Sequence, residues 1–129
     1  MNNRIFKFRV WDKLAKHMIY PDKGYQGHYI LDLNGRFHNL QNGSGGDDYV
    51  VMEYTGYNDA DGNEIYEGDI LKNLTPHKYS PNTFIVEWGE FEPSDDMGLG
   101  GVGFVMPWFS RMFKPKIIGN IFENPELLK

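Results

Sequence analysis

Asp59, Asp61 and Asn63 stand at alternate positions of the stretch N-D-A-D-G-N-E-I-Y-E-G-D-I, residues 58–70. At this spacing a calcium-binding EF-hand loop presents its first three oxygen ligands, ahead of a glycine at the sixth position and a bidentate glutamate at the twelfth. Here those two positions hold Glu64 and Ile70, so the bend lacks its glycine and the last ligand lacks an oxygen. The flanks Val50-Val51-Met52-Glu53-Tyr54 and Ile65-Tyr66 are β-branched and aromatic rather than helix-forming. A turn accounts for the same residues. Asp61-Gly62 takes positive φ readily between two apolar runs, and Glu67-Gly68-Asp69 is a second turn signal leading into Ile70-Leu71. On this reading Gly56, Asp61, Gly62, Glu67, Gly68 and Asp69 form a structural turn motif. Alanine at Asp59 or Asp61 then costs little beyond turn propensity.

Other chemistry is weakly signalled. Gly98, Gly100 and Gly103 satisfy G-x-G-x-x-G, but they follow E-P-S-D-D-M and run into the extended-looking Phe104-Val105-Met106-Pro107, where a dinucleotide cradle needs a strand before and a helix after. A flexible hairpin tip is expected, with no cofactor. His17, His28, His38 and His77 match no metal spacing. There is no G-x-S-x-G and no cysteine, so no catalytic residue is assigned. An enzyme site would have to assemble from dispersed groups such as Asp32, His38 and Asp69. The segment M-P-W-F-S-R-M-F-K-P-K interleaves Trp108 with Arg111, Lys114 and Lys116. With Trp88 these could stack and neutralise single-stranded nucleic acid or meet a protein partner; the plainer reading has the aromatics plugging a barrel end.

The elements that must position these residues are strands and turns. Nine Phe, eight Tyr, three Trp, fifteen Gly and seven Pro in 129 residues favour strands over long helices, and the length suits one domain. In I-F-K-F-R-V-W, Phe6, Phe8 and Val10 alternate with Lys7, Arg9 and Trp11 as in a half-buried strand, returning through Met18-Ile19-Tyr20. Tyr29-Ile30-Leu31 and Phe37 flank Asn34-Gly35 as a second hairpin, followed by a mobile Gly/Ser/Asp loop. Y-V-V-M-E-Y-T-G-Y and E-I-Y-E-G-D-I-L-K-N-L supply further strands, and T-F-I-V-E-W-G-E-F pairs antiparallel with G-V-G-F-V-M-P-W. A short helix is expected from Pro107 to Lys114, then a strand in K-I-I-G-N-I-F and a terminal turn capped by Asn124. The class is mainly β and antiparallel, with one or two short helices.

Charge is segregated. Residues 1–23 carry six Lys/Arg against two Asp, whereas residues 41–71 carry eight acids and no Lys or Arg; the net charge is −5. The two segments are expected to neighbour each other in the fold or across subunits. The acidic balance argues against a general polyanion-binding role. Apolar runs are short and the N-terminal stretch is charged, so neither signal peptide nor membrane span is expected, and the cytoplasm is the default location.

Three stretches, taken in order, resemble the YopX family of phage and prophage proteins: F-K-F-R-V-W-D-K with Met18-Ile19-Tyr20, then Y-T-G-Y-N-D-A-D-G-N-E-I-Y-E-G-D-I-L, then I-I-G-N-I-F-E-N-P-E-L-L. The family hallmark falls on Thr55, Gly56, Asp59, Gly62, Ile65, Tyr66, Glu67, Gly68, Asp69 and Ile70. Residues 21–50, 73–83 and 89–103 lie outside the resemblance. It implies a β-rich fold with an N-terminal hairpin region over 1–63 and an SH3-like barrel region over 64–129, together one compact unit. It implies no catalytic residue, cofactor or metal. Its phage association implies an accessory role in the bacterial cytoplasm. The lack of a catalytic signature, the aromatic-rich strands and the charge segregation together point to a protein-binding or self-assembling module, whose partner is a second copy or a host or phage protein. The alternatives are a single-stranded nucleic-acid-binding barrel and, behind it, a small hydrolase.

The turn reading is checked by calcium. A ligand held by the native state at a hundredfold excess over its Kd adds about 2.7 kcal/mol of stability. Calcium is therefore expected to leave the melting temperature unchanged; a rise abolished by Asp59→Ala would restore the metal site.

Overall fold

Aspartates close the first two turns of the chain. β1 (Phe8–Asp12) and β2 (His17–Ile19) pair antiparallel with Trp11 opposite Met18. Between them Asp12 Oδ1 accepts the N–H groups of Leu14 and Ala15, each at 3.0 Å, and Lys16 takes the left-handed conformation. β3 (Tyr29–Leu31) and β4 (Phe37–Asn39) pair with Ile30 opposite His38. In their turn Asp32 Oδ1 accepts from Asn34 N and Arg36 N, both at 2.9 Å, while Gly35 supplies a φ of 79°. Short polar side chains that bond the backbone just ahead of them favour such turns. The computed structural model describes residues 5–21, 27–74, 83–91, 101–105 and 115–128.

Two compact units divide the chain at residues 54 and 55, inside the long strand β5 (Tyr49–Asn58). In the first unit β1 lies between β2 and the start of β5, with Val10 opposite Val51. Its burial departs from the expected alternation. Arg9 (3% exposed) is buried along with Val10 and Trp11, so both faces of β1 are covered, whereas Phe6 ahead of the strand is 65% exposed. The pairing also sets the basic segment directly beside the acidic one. The core is Val10, Phe37 and Tyr49, packed by Ile19, Tyr29, Leu31 and Val51. The Phe37 ring lies 5.5 Å from Tyr29 and 4.6 Å from Tyr49, within the range of favourable aromatic pairs. The Gly/Ser/Asp segment, expected as a mobile loop, is tied down instead. Asn39 N donates to Ser44 O at 2.8 Å, Ser44 Oγ and Tyr49 Oη lie 2.6 Å apart, and residues Gly46–Asp48 make a three-ten turn.

The second unit holds the end of β5, then β6 (Glu64–Tyr66), β7 (Asp69–Asn73), β8 (Thr83–Ile85), β9 (Glu87–Phe91), β10 (Gly101–Val105) and β11 (Pro115–Asn120). β7 is central, antiparallel to β8 and β11, and β9 pairs with β10 as a hairpin. Ile65, Leu71 and Val86 form the core, with Phe84 and Ile117 against it. A three-ten turn over Pro125–Leu128 ends the chain. Asn124, expected to cap it, aims its side chain backwards: Oδ1 accepts Asn120 N at 3.2 Å. The helix expected from Pro107 to Lys114 lies outside the described residues, as do Gly98 and Gly100. The described fold is mainly β and antiparallel throughout.

Gly68 is the tightest backbone constraint in this unit. Its φ is 84°, its N–H donates to Val86 O and its carbonyl accepts Ile121 N, both at 2.9 Å. Held on both sides, the residue cannot relax into a conformation suited to a side chain. At Gly119 an added Cβ would lie 2.5 Å from Asn124 Oδ1 and 2.9 Å from Asn124 Cβ. Gly68→Val is therefore expected to lose about 1 kcal/mol or more in urea unfolding. Gly62→Val, with φ 85° but open space around it, should lose less, and Gly119→Ala should destabilise by displacing Asn124.

Candidate functional site

The D-A-D-G-N stretch repeats the turn of D-L-N-G-R. Asp59 Oδ1 accepts Asp61 N at 3.0 Å and Asn63 N at 2.8 Å, Gly62 N donates to Asp59 O, and Asp59 N donates to Asn63 O. Asp32 makes the same four bonds to Asn34, Arg36, Gly35 and Arg36. The spacing that imitates a calcium loop is a hairpin turn used twice. Asp59 differs from Asp32 in depth and reach. It is buried, and its Oδ2 accepts the N–H of Ile117 at 3.1 Å, while Ala60 N donates to Pro115 O at 2.8 Å. Burial raises its pKa, but the N–H groups of Ile117, Asn63 and Asp61 outweigh burial and hold the carboxyl below its ordinary value. This corrects the expectation that Asp59 is a dispensable turn residue: one carboxylate joins the β5–β6 hairpin to β11. Both oxygens face N–H donors, whose positive ends oppose a cation.

The remaining motif residues also serve the backbone. Thr55 Oγ1 donates to Ile65 O at 2.8 Å, and buried Asp69 accepts Tyr66 N at 2.8 Å, closing the Y-E-G-D turn. Gly56 has a φ of 89°. Asp61 meets Lys116 Nζ at 3.8 Å on the surface. Trp88 is about half exposed on β9, while Trp108, Arg111 and Lys114 lie outside the described residues. Of the dispersed polar trio, Asp32 and His38 meet: Oδ2 and Nε2 are 2.9 Å apart on an exposed hairpin. His38, then the Arg36 N–H, lower the Asp32 pKa. Asp69, the third member, belongs to the second unit, where it is buried and accepts the N–H of Tyr66. Among the described residues, no group of three His, Asp or Glu side chains is placed to hold a metal.

The first unit carries a feature the residue motifs did not signal, an open groove of about 330 Å³. Its walls are the entry to β1 (Phe6, Lys7, Phe8, Val10), the exit from β2 (Ile19, Tyr20, Pro21), β3 (Tyr29, Ile30, Leu31) and Phe37 of β4. Ile30 is 45% exposed at its lip. The volume is that of a ligand site, yet the lining is apolar and aromatic, with Lys7 the one charged residue among those described. The described lining residues include no acid–base pair. The available signal was Tyr29-Ile30-Leu31 itself, a strand with apolar residues on both faces.

Asp59→Ala leaves three N–H groups without their acceptor. At about 1–3 kcal/mol for an orphaned buried donor, the variant is expected to lose about 2–4 kcal/mol in urea unfolding, whereas Asp61→Ala should lose under about 0.5 kcal/mol. The folded Asp59 carboxyl titrates below the ordinary aspartate value of about 3.9. Its contribution is therefore full above that value and fades as pH falls through the lower folded one. Wild type and Asp59→Ala should converge in stability in strong acid and diverge near neutrality.

A family model described as YopX protein matches residues 7–129. Among solved structures, the chain is similar to protein EF1440 from Enterococcus faecalis, with 30% identity over 98% of this chain and 100% of that one and a TM-score of 0.53. It is also similar in fold to protein yopX from Bacillus subtilis, with 21% identity over 95% of this chain and 98% of that one and a TM-score of 0.55. No curated protein matches the chain. With the first hairpin, the paired turns of residues 55–70 and the β11 segment all inside the matched range, the chain belongs to the YopX family.

Proposed function

We propose that this chain is a non-enzymatic protein-binding module, an accessory protein of phage or prophage origin acting in the bacterial cytoplasm. One observation carries the reading: an apolar groove in the first unit, with Phe6 and Ile30 exposed at its lip and no converging acid–base groups. Exposed apolar patches rimmed by polar residues mark interaction sites on soluble proteins. In this reading the second unit, with β7 flanked by β8 and β11 and a separate β9–β10 hairpin, is an SH3-like barrel. It serves as scaffold, and a second copy of the chain is among the partners the groove can take. Nucleic-acid binding ranks below, since Lys116 leans on Asp61 and the net charge is −5.

The test is Ile30→Asp, which places a charge at the lip on an exposed side chain. Light scattering across concentration and salt, with affinity capture from host and phage lysates, is expected to show self-association or one defined partner. The variant should weaken it about tenfold or more without a change in melting temperature, as for an apolar contact residue at an interface. A monomer that captures nothing, or a contact indifferent to Ile30→Asp, overturns the reading.

A further inference from the structure

The groove is bordered by an open strand edge. Among the described residues, β3 has one strand neighbour, β4. On that side His28 O accepts Leu40 N at 2.7 Å and Asp32 N donates to Arg36 O at 3.0 Å. Backbone groups alternate in direction along an antiparallel strand, so those of His28, Ile30 and Asp32 point to β4 and those of Tyr29 and Leu31 point away from it. Among the described residues nothing takes the N–H and C=O groups of Tyr29 and Leu31. The groove is lined by three consecutive residues of β3, whose side chains alternate between faces: Tyr29 and Leu31 pack on the core while Ile30 is exposed. A cavity that touches both faces of one strand lies along its edge. Sheet proteins commonly blunt such edges with lysine, proline or a bulge, and Tyr-Ile-Leu uses none of these.

We infer that the groove takes an extended peptide segment that adds as a strand to the free edge of β3 and places alternate apolar side chains in the groove. This rests on the reading of the first unit as a protein-binding module and specifies its ligand class. Strand addition draws affinity from main-chain hydrogen bonds and specificity from pockets for alternate side chains, and both halves of that arrangement are present. A second copy's β3 fits less well. Its Tyr29 and Leu31 side chains are engaged in their own core, so pairing two edges would leave both grooves unfilled.

The test uses the full chain and an end-capped seven-residue peptide alternating valine and threonine. Two further forms are N-methylated at every second residue, one on the peptide edge that faces β3 and one on the opposite edge. Binding is read by fluorescence anisotropy, and amide exchange of Tyr29 and Leu31 by NMR. The parent peptide and the form methylated on the opposite edge should bind alike and slow exchange at Tyr29 and Leu31. Methylation of the facing edge removes two hydrogen bonds and should weaken binding about tenfold. Equal binding of both methylated forms overturns strand addition while leaving a protein-binding groove. Failure of every peptide does the same if a partner is still lost with Ile30→Asp. Protection of the two amides that grows with protein concentration alone assigns the edge to a second copy and overturns the proposal.

Discussion

The second unit depends on the Asp59 carboxylate. Its two oxygens are shared among three backbone N–H groups, two in the adjacent turn and one on Ile117, a residue 58 positions later. A hairpin turn alone needs the first two bonds, as Asp32 shows. The third converts a local turn into a joint between a hairpin and a strand far along the chain. Asparagine fits the turn but would present a donor to one of the N–H groups, so the joint calls for aspartate. Neighbouring constraints are of the same kind. Thr55 bonds the Ile65 carbonyl, Asp69 the Tyr66 N–H, and Gly68 is held between Val86 and Ile121. Polar side chains and strained glycines thus satisfy backbone groups that bending would otherwise orphan in a core.

What the sequence made legible follows from this division between local and distant causes. Turn glycines, the two N-terminal hairpins, the β9–β10 pair and the last strand are written in neighbouring residues, and each can be read from its own few positions. The role of Asp59 cannot, because its third partner is fixed only once β11 is in place. The burial of Arg9 is hidden for the same reason: alternation describes a strand with one covered face, while β1 is covered on both. Gly119 looks like an ordinary glycine until Asn124 folds back against it. The groove is less legible still, since its walls come from four strands and its defining feature is a backbone edge, which leaves no mark in residue type.

The hallmark turns and the groove draw on different parts of the chain. The hallmark residues, Thr55 through Ile70, are spent on closing turns and joining strands, and several of their polar groups are already engaged by the backbone. The β3–β4 hairpin lies in residues 21–50, outside the motifs, and supplies the open edge and the exposed Ile30. Of its apolar residues, Tyr29, Leu31 and Phe37 belong to the first unit's core, while Ile30 is exposed. That hairpin therefore serves core and surface at once, on the two faces of one strand. The most recognisable motif, by contrast, reports architecture, since its carboxylates and hydroxyl are committed to turns and strand joints.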